Sequence, residues 1–495
     1  MGIIQIKNLT FNYINQKELL FNNVNLDIDT NWKLGLIGRN GRGKTTLLRL
    51  LQKKLTAQGE IRANVDFSYF PISISDPQLI TRNMIMKVTN RDYSNFWEIE
   101  RELDLLELDE DILDKAFDHL SPGQQTKLRL AITFANQDKF QLLDEPTNHL
   151  DQLGRKQVAN YLRKKNGFIV VSHDKQFLNE VIDHVISINK SDISVFQGNY
   201  DTWWIDHQIT QKRELREKER LKKGIQKLEQ ASYQKQEWAR ATERKKVGAP
   251  DKGFVGHKAA KSMKRALDVK KRANQKVDEQ KKLLKNIEID EELDMKYVPL
   301  AKSTNLIEVK DLMLQRGGKS ISEPINFKIE TGQRLLVSGN NGSGKSTMIQ
   351  ALIDNQKLIK NGEIKIKPDL KVSYLNQRFE EMKGTIQQLA NKHQIDLQNI
   401  YSTLRKLGFE RELFQTDIDE MSLGQKRKIA LAHSLCEEAN IYVWDEPLNY
   451  LDVISREQVE QVILKFQPTM IVIDHDLHFT NMIKSNEIKM RPLHR

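Results

Sequence analysis

Four short motifs occur twice in this 495-residue chain, in the same order and at nearly one offset, and this repetition limits the possible folds more than any other feature. GRNGRGKTT (Gly38 to Thr46) returns as GNNGSGKST (Gly339 to Thr347), and LSPGQQTK (Leu120 to Lys127) returns as MSLGQKRK (Met421 to Lys428). LLDEPTNHLD (Leu142 to Asp151) returns as VWDEPLNYLD (Val443 to Asp452), and VSHD (Val171 to Asp174) as IDHD (Ile473 to Asp476). Lys44 and Lys345, Ser121 and Ser422, and Glu145 and Glu446 are each 301 positions apart; His173 and His475 are 302 apart. The chain is therefore a duplication, with different sequence between its copies.

That spacer, roughly Asp201 to Asp290, holds 25 Lys+Arg against 14 Asp+Glu. The remainder is balanced at 53 of each, so the chain's whole excess of +11 sits in the spacer and points to a polyanionic partner. Its two flanks are free of proline and rich in helix formers, with Leu221, Ile225 and Leu228 at helical spacing. Between them, KKVGAPDKGFVG (Lys245 to Gly256) breaks the pattern. Two long helices joined by a loop, an antiparallel hairpin, is the predicted form. A solvated charged tether is the alternative, and Trp203, Trp204, Trp238 and Phe254 speak against it. No run of about 18 apolar residues is present, which excludes a membrane span and with it a complete transporter. The single cysteine, Cys436, excludes an internal disulfide and a cysteine-built zinc site, and suits the cytoplasm.

Each glycine-rich motif follows a strand-like run (Leu34 to Gly38, Leu335 to Gly339) and precedes a helical one, which gives G-x-x-x-x-G-K-[ST] its meaning as a phosphate cradle. Backbone N–H groups and a helix N-terminus would face the phosphates of ATP. The predicted binding residues are Gly38, Asn40, Gly41, Gly43, Lys44, Thr45 and Thr46 in the first copy. In the second they are Gly339, Asn341, Gly342, Gly344, Lys345, Ser346 and Thr347. Thr45 and Ser346 are expected to hold Mg2+ together with Asp144 and Asp445, each at the end of an apolar run. Glu145 and Glu446 would orient or deprotonate the attacking water, and His173 and His475 would meet the γ-phosphate.

Together these elements resemble the Walker A, signature, Walker B, D-loop and switch-histidine motifs of ATP-binding cassettes. The resemblance implies an α/β fold with two tandem P-loop ABC ATPase domains joined by a long helical hairpin linker. The expected division is 1–199, 200–300 and 301–495. It further implies a monomer whose cassettes pair head to tail, so that Ser422 and Gly424 complete the site of Lys44, and Ser121 and Gly123 that of Lys345. Two positions depart from the family pattern. The glutamine that contacts Mg2+ matches Gln377 in the second copy but reads Ile72 in the first, and the aromatic that stacks on adenine matches Tyr13 but reads Arg316 in the second. The two sites are therefore expected to be unequal.

Two complete cassettes around a basic hairpin resemble the ABC-F proteins, and three segments (Thr30 to Leu51, Lys252 to Ala266, Trp444 to Asp452) look like the Lsa-type antibiotic-resistance members of Gram-positive bacteria. That resemblance implies a 70S ribosome partner, bound at the E site, with the hairpin reaching the P-site tRNA and the 23S rRNA of the peptidyl-transferase centre. It implies protection against lincosamides, streptogramin A and pleuromutilins; a translation or ribosome-assembly factor without a resistance role is the alternative. The linker tip expected to contact ribosome or tRNA comprises Lys245, Lys246, Val247, Pro250, Lys252 and Phe254.

Overall fold

The computed structural model describes residues 2–13, 19–89, 95–135, 139–148, 150–189, 192–244, 271, 275, 277, 290–339, 342–353, 356–376, 382–474 and 476–491. They form two compact units. One contains both motif-bearing copies (Met1–Ile188, Ser194–Tyr200 and Glu291–Arg495), and the other is the spacer (Asn189–Ile193 and Asp201–Asp290).

In the first copy, the runs FIVV (Phe168–Val171) and HVISI (His184–Ile188) are buried at every residue, as strands covered on both faces must be. They belong to a six-stranded sheet in the order Asp66–Phe70, Lys139–Asp144, Phe168–Val171, Lys33–Gly38, His184–Ile188, Ile193–Gln197. Lys33–Gly38 runs parallel to both its neighbours, and Asp144 pairs with Val171 at the strand ends. Three motifs therefore leave one carboxyl edge of the sheet side by side, which is where open α/β sheets bind ligands. An antiparallel sheet, Phe21–Asp29, Ile3–Phe11, Gln58–Ala63, completes the copy.

The second copy repeats the plan with a five-stranded sheet: Val372–Leu375, Ile441–Asp445, Met470–Ile473, Arg334–Gly339, Asn486–Met490. Its antiparallel sheet is built on Asn305–Arg316, flanked by Ile325–Glu330 and Ile359–Ile366. Trp444, Tyr442, Met470 and Phe479 lie fully buried in the core beneath the signature helix Leu423–Cys436.

The spacer unit opens on one helix, Tyr200–Arg244, of 45 residues and so about 68 Å long. At its base His207 stacks on Trp203 with ring centroids 5.0 Å apart, and its Nε2 lies 2.8 Å from an Asp290 carboxylate oxygen. The Asp290 amide donates to the Gln211 side chain at 2.9 Å. Val277 is helical and buried, and Ile225 on the long helix is also buried. The expected tip residues Lys245, Lys246, Val247, Pro250, Lys252 and Phe254 lie outside the described residues.

Candidate ATP sites

The first site grows from the loop between strand Lys33–Gly38 and helix Lys44–Leu51. Gly43 caps that helix at φ 90°, a left-handed conformation that suits glycine, and a Cβ there would also meet Leu20 and Phe21 at 2.9 Å. Lys44 Nζ donates to the Gly38 carbonyl at 2.8 Å, which curls the side chain back over the loop. Gly41 also has positive φ, at 85°. Thr45 donates to an Asp144 carboxylate oxygen at 3.1 Å. Thr46 shares a hydrogen bond with the exposed Tyr13 at 2.9 Å, leaving the phenol beside the loop.

Glu145 follows Asp144 at φ 54°, in the left-handed region where a residue with a Cβ is strained. Its amide is tied to the Val171 carbonyl at 2.9 Å, and this bond holds the turn. Its Oε1 stands 3.1 Å from His173 Nε2. Burial pushes the Glu145 carboxyl up to about 7, against the pull of Lys44 and with help from Asp144. Burial also lowers His173 well below its ordinary value, and Lys44 and Arg456 act the same way, so its imidazole is neutral. A neutral histidine can donate one N–H without bringing a second cation to a site that already holds Lys44.

The second copy closes this site. The Asn40 amide donates to Asp452 Oδ2 at 3.0 Å, the Asn40 side-chain amide donates to the Tyr450 carbonyl at 3.1 Å, and Arg39 donates to the Lys406 carbonyl at 3.2 Å. A Cβ on Gly424 would stand 3.1 Å from the Tyr450 carbonyl and 3.2 Å from Asn40 Nδ2, so the signature glycine permits this close approach. Asp452 is fully buried, bonded by Lys428 Nζ at 2.8 Å and by the Ser455 amide at 2.8 Å. Burial disfavours its charge, but Lys428, Arg39 and Lys44 outweigh burial and hold its carboxyl well below the usual range. Ser422 caps its helix reciprocally with Gln425, and Ser121 does so with Gln124; Gly123 lies in the first turn of helix Pro122–Ala135.

At the second site Lys345 Nζ donates to the Gly339 carbonyl at 2.8 Å, mirroring Lys44. Gly342 and Gly344 have φ of 80° and 95°, and Ser346 and Thr347 open helix Lys345–Ile353. Glu446 repeats the strained turn at φ 51°, with its amide on the Ile473 carbonyl at 2.8 Å. Burial raises the Asp445 carboxyl, and Ser346 beside it opposes the rise. Neither Asp445 oxygen has a partner of full hydrogen-bond geometry among the described residues. Asn341, Gln377 and His475 lie outside those residues, and Arg316 sits at a hairpin tip opposite Lys319.

These donors fit Mg2+ shared with phosphate. Among the described residues no cluster of His, Cys, Asp and Glu would hold a metal alone. One carboxylate and one hydroxyl per site is the sparse oxygen set on which Mg2+ keeps waters and takes substrate phosphate.

Tyr69, Lys428, Arg427 and Asp452 belong to these sites, but sequence reading did not single them out. Tyr69 donates to Asp144 at 2.9 Å, sharing the oxygen that Thr45 reaches. Arg427, 1% exposed, donates to the carbonyls of Asp445 at 2.9 Å, Asn376 at 2.8 Å, Pro447 at 3.3 Å, and Glu446. Lys428 and Asp452 close the repeated motifs MSLGQKRK and VWDEPLNYLD, and that repetition was the available signal.

Comparison with known proteins bears on this geometry. The family model described as ABC transporter matches residues 21–148 and 322–449, more than half of the chain. The ribosome protection protein VmlR of Bacillus subtilis is 26% identical over 511 residues, covering 98% of this chain and 86% of that protein. The erythromycin resistance ATP-binding protein MsrA of Staphylococcus epidermidis is 26% identical over 502 residues, covering 97% and 96%. The archaeal ribosome recycling factor aABCE1, solved in complex with the ribosomal stalk protein aP1, superimposes with a TM-score of 0.60. It shares 19% identity and is matched over 97% of this chain and 87% of that one, a likeness of fold. No described helix is long and apolar enough to cross a membrane.

Proposed function

The chain belongs to the ATP-binding cassette family as an ABC-F ATPase, and from this premise we propose that ATP-driven closure of its two copies loads a basic linker onto the bacterial 70S ribosome. The observation that carries the reading is the Asn40 amide on Asp452, which makes the first site a joint product of both copies. In this reading ATP lies between the loop of Lys44 and the signature turn of Ser422 and Gly424, and between that of Lys345 and the turn of Ser121 and Gly123. Thr45 and Asp144, and Ser346 and Asp445, would hold Mg2+, which would supply charge neutralisation to the phosphates. Glu145 and Glu446 hold and deprotonate the attacking water. His173 orients Glu145 through the 3.1 Å contact, and His475 is its counterpart.

The ribosomal part rests on the linker's net charge of +11 and on the relative VmlR, named for ribosome protection; the drug-tolerance part draws also on MsrA, named for erythromycin resistance. Phosphate neutralisation gives a basic helical element affinity for RNA without sequence readout. We place the protein at the E site, with residues 245–254 directed to the P-site tRNA and the 23S rRNA of the peptidyl-transferase centre. Displacement of that tRNA releases lincosamides, streptogramin A or pleuromutilins, and hydrolysis releases the protein.

The test pairs Glu145→Gln with Glu446→Gln and asks whether the protein co-sediments with 70S ribosomes in ATP. ATP-dependent association is expected, because closure persists without hydrolysis; its absence refutes the ribosomal reading. Replacing residues 247–254 by Gly-Ser should then abolish drug tolerance while ATPase activity remains. Tolerance that survives this exchange would favour a translation factor.

A further inference from the structure

On one side the two copies are joined by a buried ion cluster, and the matching positions on the other carry different residues. Lys175, the residue after the Asp174 cap that follows His173, reaches across to the second copy. Its Nζ lies 2.7 Å from Glu457 Oε1 and 2.5 Å from Glu460 Oε2. All three side chains are at most 9% exposed. Both glutamates stand on helix Val453–Phe466, which Asp452 caps, and Asp452 is the group that receives the Asn40 amide. Glu457 also accepts a hydrogen bond at 3.3 Å from Tyr200, the first residue of the 45-residue linker helix.

The duplication supplies an internal control. The position after the corresponding cap, Asp476, is Leu477, and the positions matching Glu457 and Glu460 are Lys156 and Ala159. The lysine and two glutamates of the first set are thus matched in sequence by a leucine, a lysine and an alanine in the second. A cleft of about 350 Å³ lies beside Lys156, Ala159 and Asp476, and its lining also includes Arg155, Asp174 and Glu180.

We propose that Lys175, Glu457 and Glu460 form a one-sided latch, with Lys175 the positioning residue that holds the first ATP site closed while the second opens independently. The proposal rests on the composite-site reading above. Opening the first site separates Lys175 from two carboxylates it holds in a buried place, whereas the residues at the matching positions of the second, Leu477, Lys156 and Ala159, cannot form that lysine–carboxylate contact. The latch also connects closure of the first site to Tyr200 at the root of the linker, so the state of that site bears directly on the helix.

Hydrogen exchange in the Glu145→Gln, Glu446→Gln protein with ATP reads each site separately, through residues 38–46 and 450–456 for the first and 339–347 and 148–155 for the second. Lys175→Met is expected to speed exchange at the first set roughly thirtyfold or more, the scale for truncating one partner of a buried charge pair, and to leave the second set unchanged. Adding Glu457→Gln and Glu460→Gln to Lys175→Met should slow exchange again relative to Lys175→Met, because no carboxylate is then left unpaired, without reaching the parent's rate, because the latch itself is gone; loss of packing alone would not be rescued this way. Glu457→Gln with Glu460→Gln on the native Lys175 should loosen the first site too, which provides the same test should Lys175→Met fail to fold. Equal acceleration at both sites, no acceleration, or no rescue overturns the latch. Absence of ATP-dependent protection in the parent protein overturns the composite-site reading instead, and the latch with it.

Discussion

Replacing Arg427 by Met should loosen the second site's strand end while sparing the first. The side chain keeps its length and apolar stem but loses every donor, and four carbonyls at Asn376, Asp445, Glu446 and Pro447 lose the guanidinium, that of Glu446 keeping the Asn449 amide at 3.3 Å. Two of the bonds, to Asp445 and Pro447, are fully buried, so no water can replace them; the other two are partly accessible. A buried acceptor left unpaired costs about 1–3 kcal/mol, so the pair costs about 4 kcal/mol. The first copy has Thr126 at this position, its hydroxyl spent on the Pro122 carbonyl at 3.0 Å, so the same molecule contains the reference. If local opening exposes strand Ile441–Asp445, about 4 kcal/mol corresponds to roughly a thousandfold faster amide exchange there. Strand Lys139–Asp144 should keep its protection. Exchange at 441–445 that rises less than tenfold, or rises equally at 139–144, would refute the clamp. The lowered pKa of Arg427, about 10 through burial, marks how little water the guanidinium retains.

Three further outcomes follow from the same geometry. Tyr69→Phe removes one of two donors to Asp144 Oδ2, a charged acceptor, and should lower turnover at the first site about tenfold, measured as the Mg2+ dependence of ATPase activity in Glu446→Gln protein. Asp452→Asn breaks the buried pair with Lys428 and should destabilise the second copy by about 3–5 kcal/mol in urea unfolding; Lys428→Met on top of it should recover part of the loss, and simple additivity would exclude a coupled pair. Burial raises Glu460 to about 7 against the pull of Lys175, so its contribution to stability is present below about pH 4.5 and is lost as pH rises through about 7. The melting temperature of Glu460→Gln relative to the parent should therefore shift upward as pH rises from 5.5 to 8, whatever its offset at low pH, and a difference that stays constant over that range would contradict this.

The motif loops were legible because each encodes its own local chemistry. Glycines at 41, 43, 342 and 344 take positive φ, and the buried runs ending at Asp144 and Asp445 had to be interior strands. With four motifs repeated at nearly one offset, the sequence alone pointed to two phosphate cradles, two candidate catalytic carboxylates and a basic spacer of helical composition. Tertiary structure decided which groups meet. Asn40 and Asp452 are separated by 412 positions, Lys175 and Glu460 by 285, and no periodicity relates residues that far apart. Arg427 looks like one more surface cation in a run of basic residues until the strand carbonyls close around it. The inequality of the two sites was expected from Ile72 and Arg316, yet the clearest structural asymmetries are at Lys175 and Arg427, where aligned positions carry different charge. A local pattern fixes backbone conformation through sterics and hydrogen bonding within a few residues. A buried charge is set by whatever surface folds against it, and only the assembled copies supply that surface.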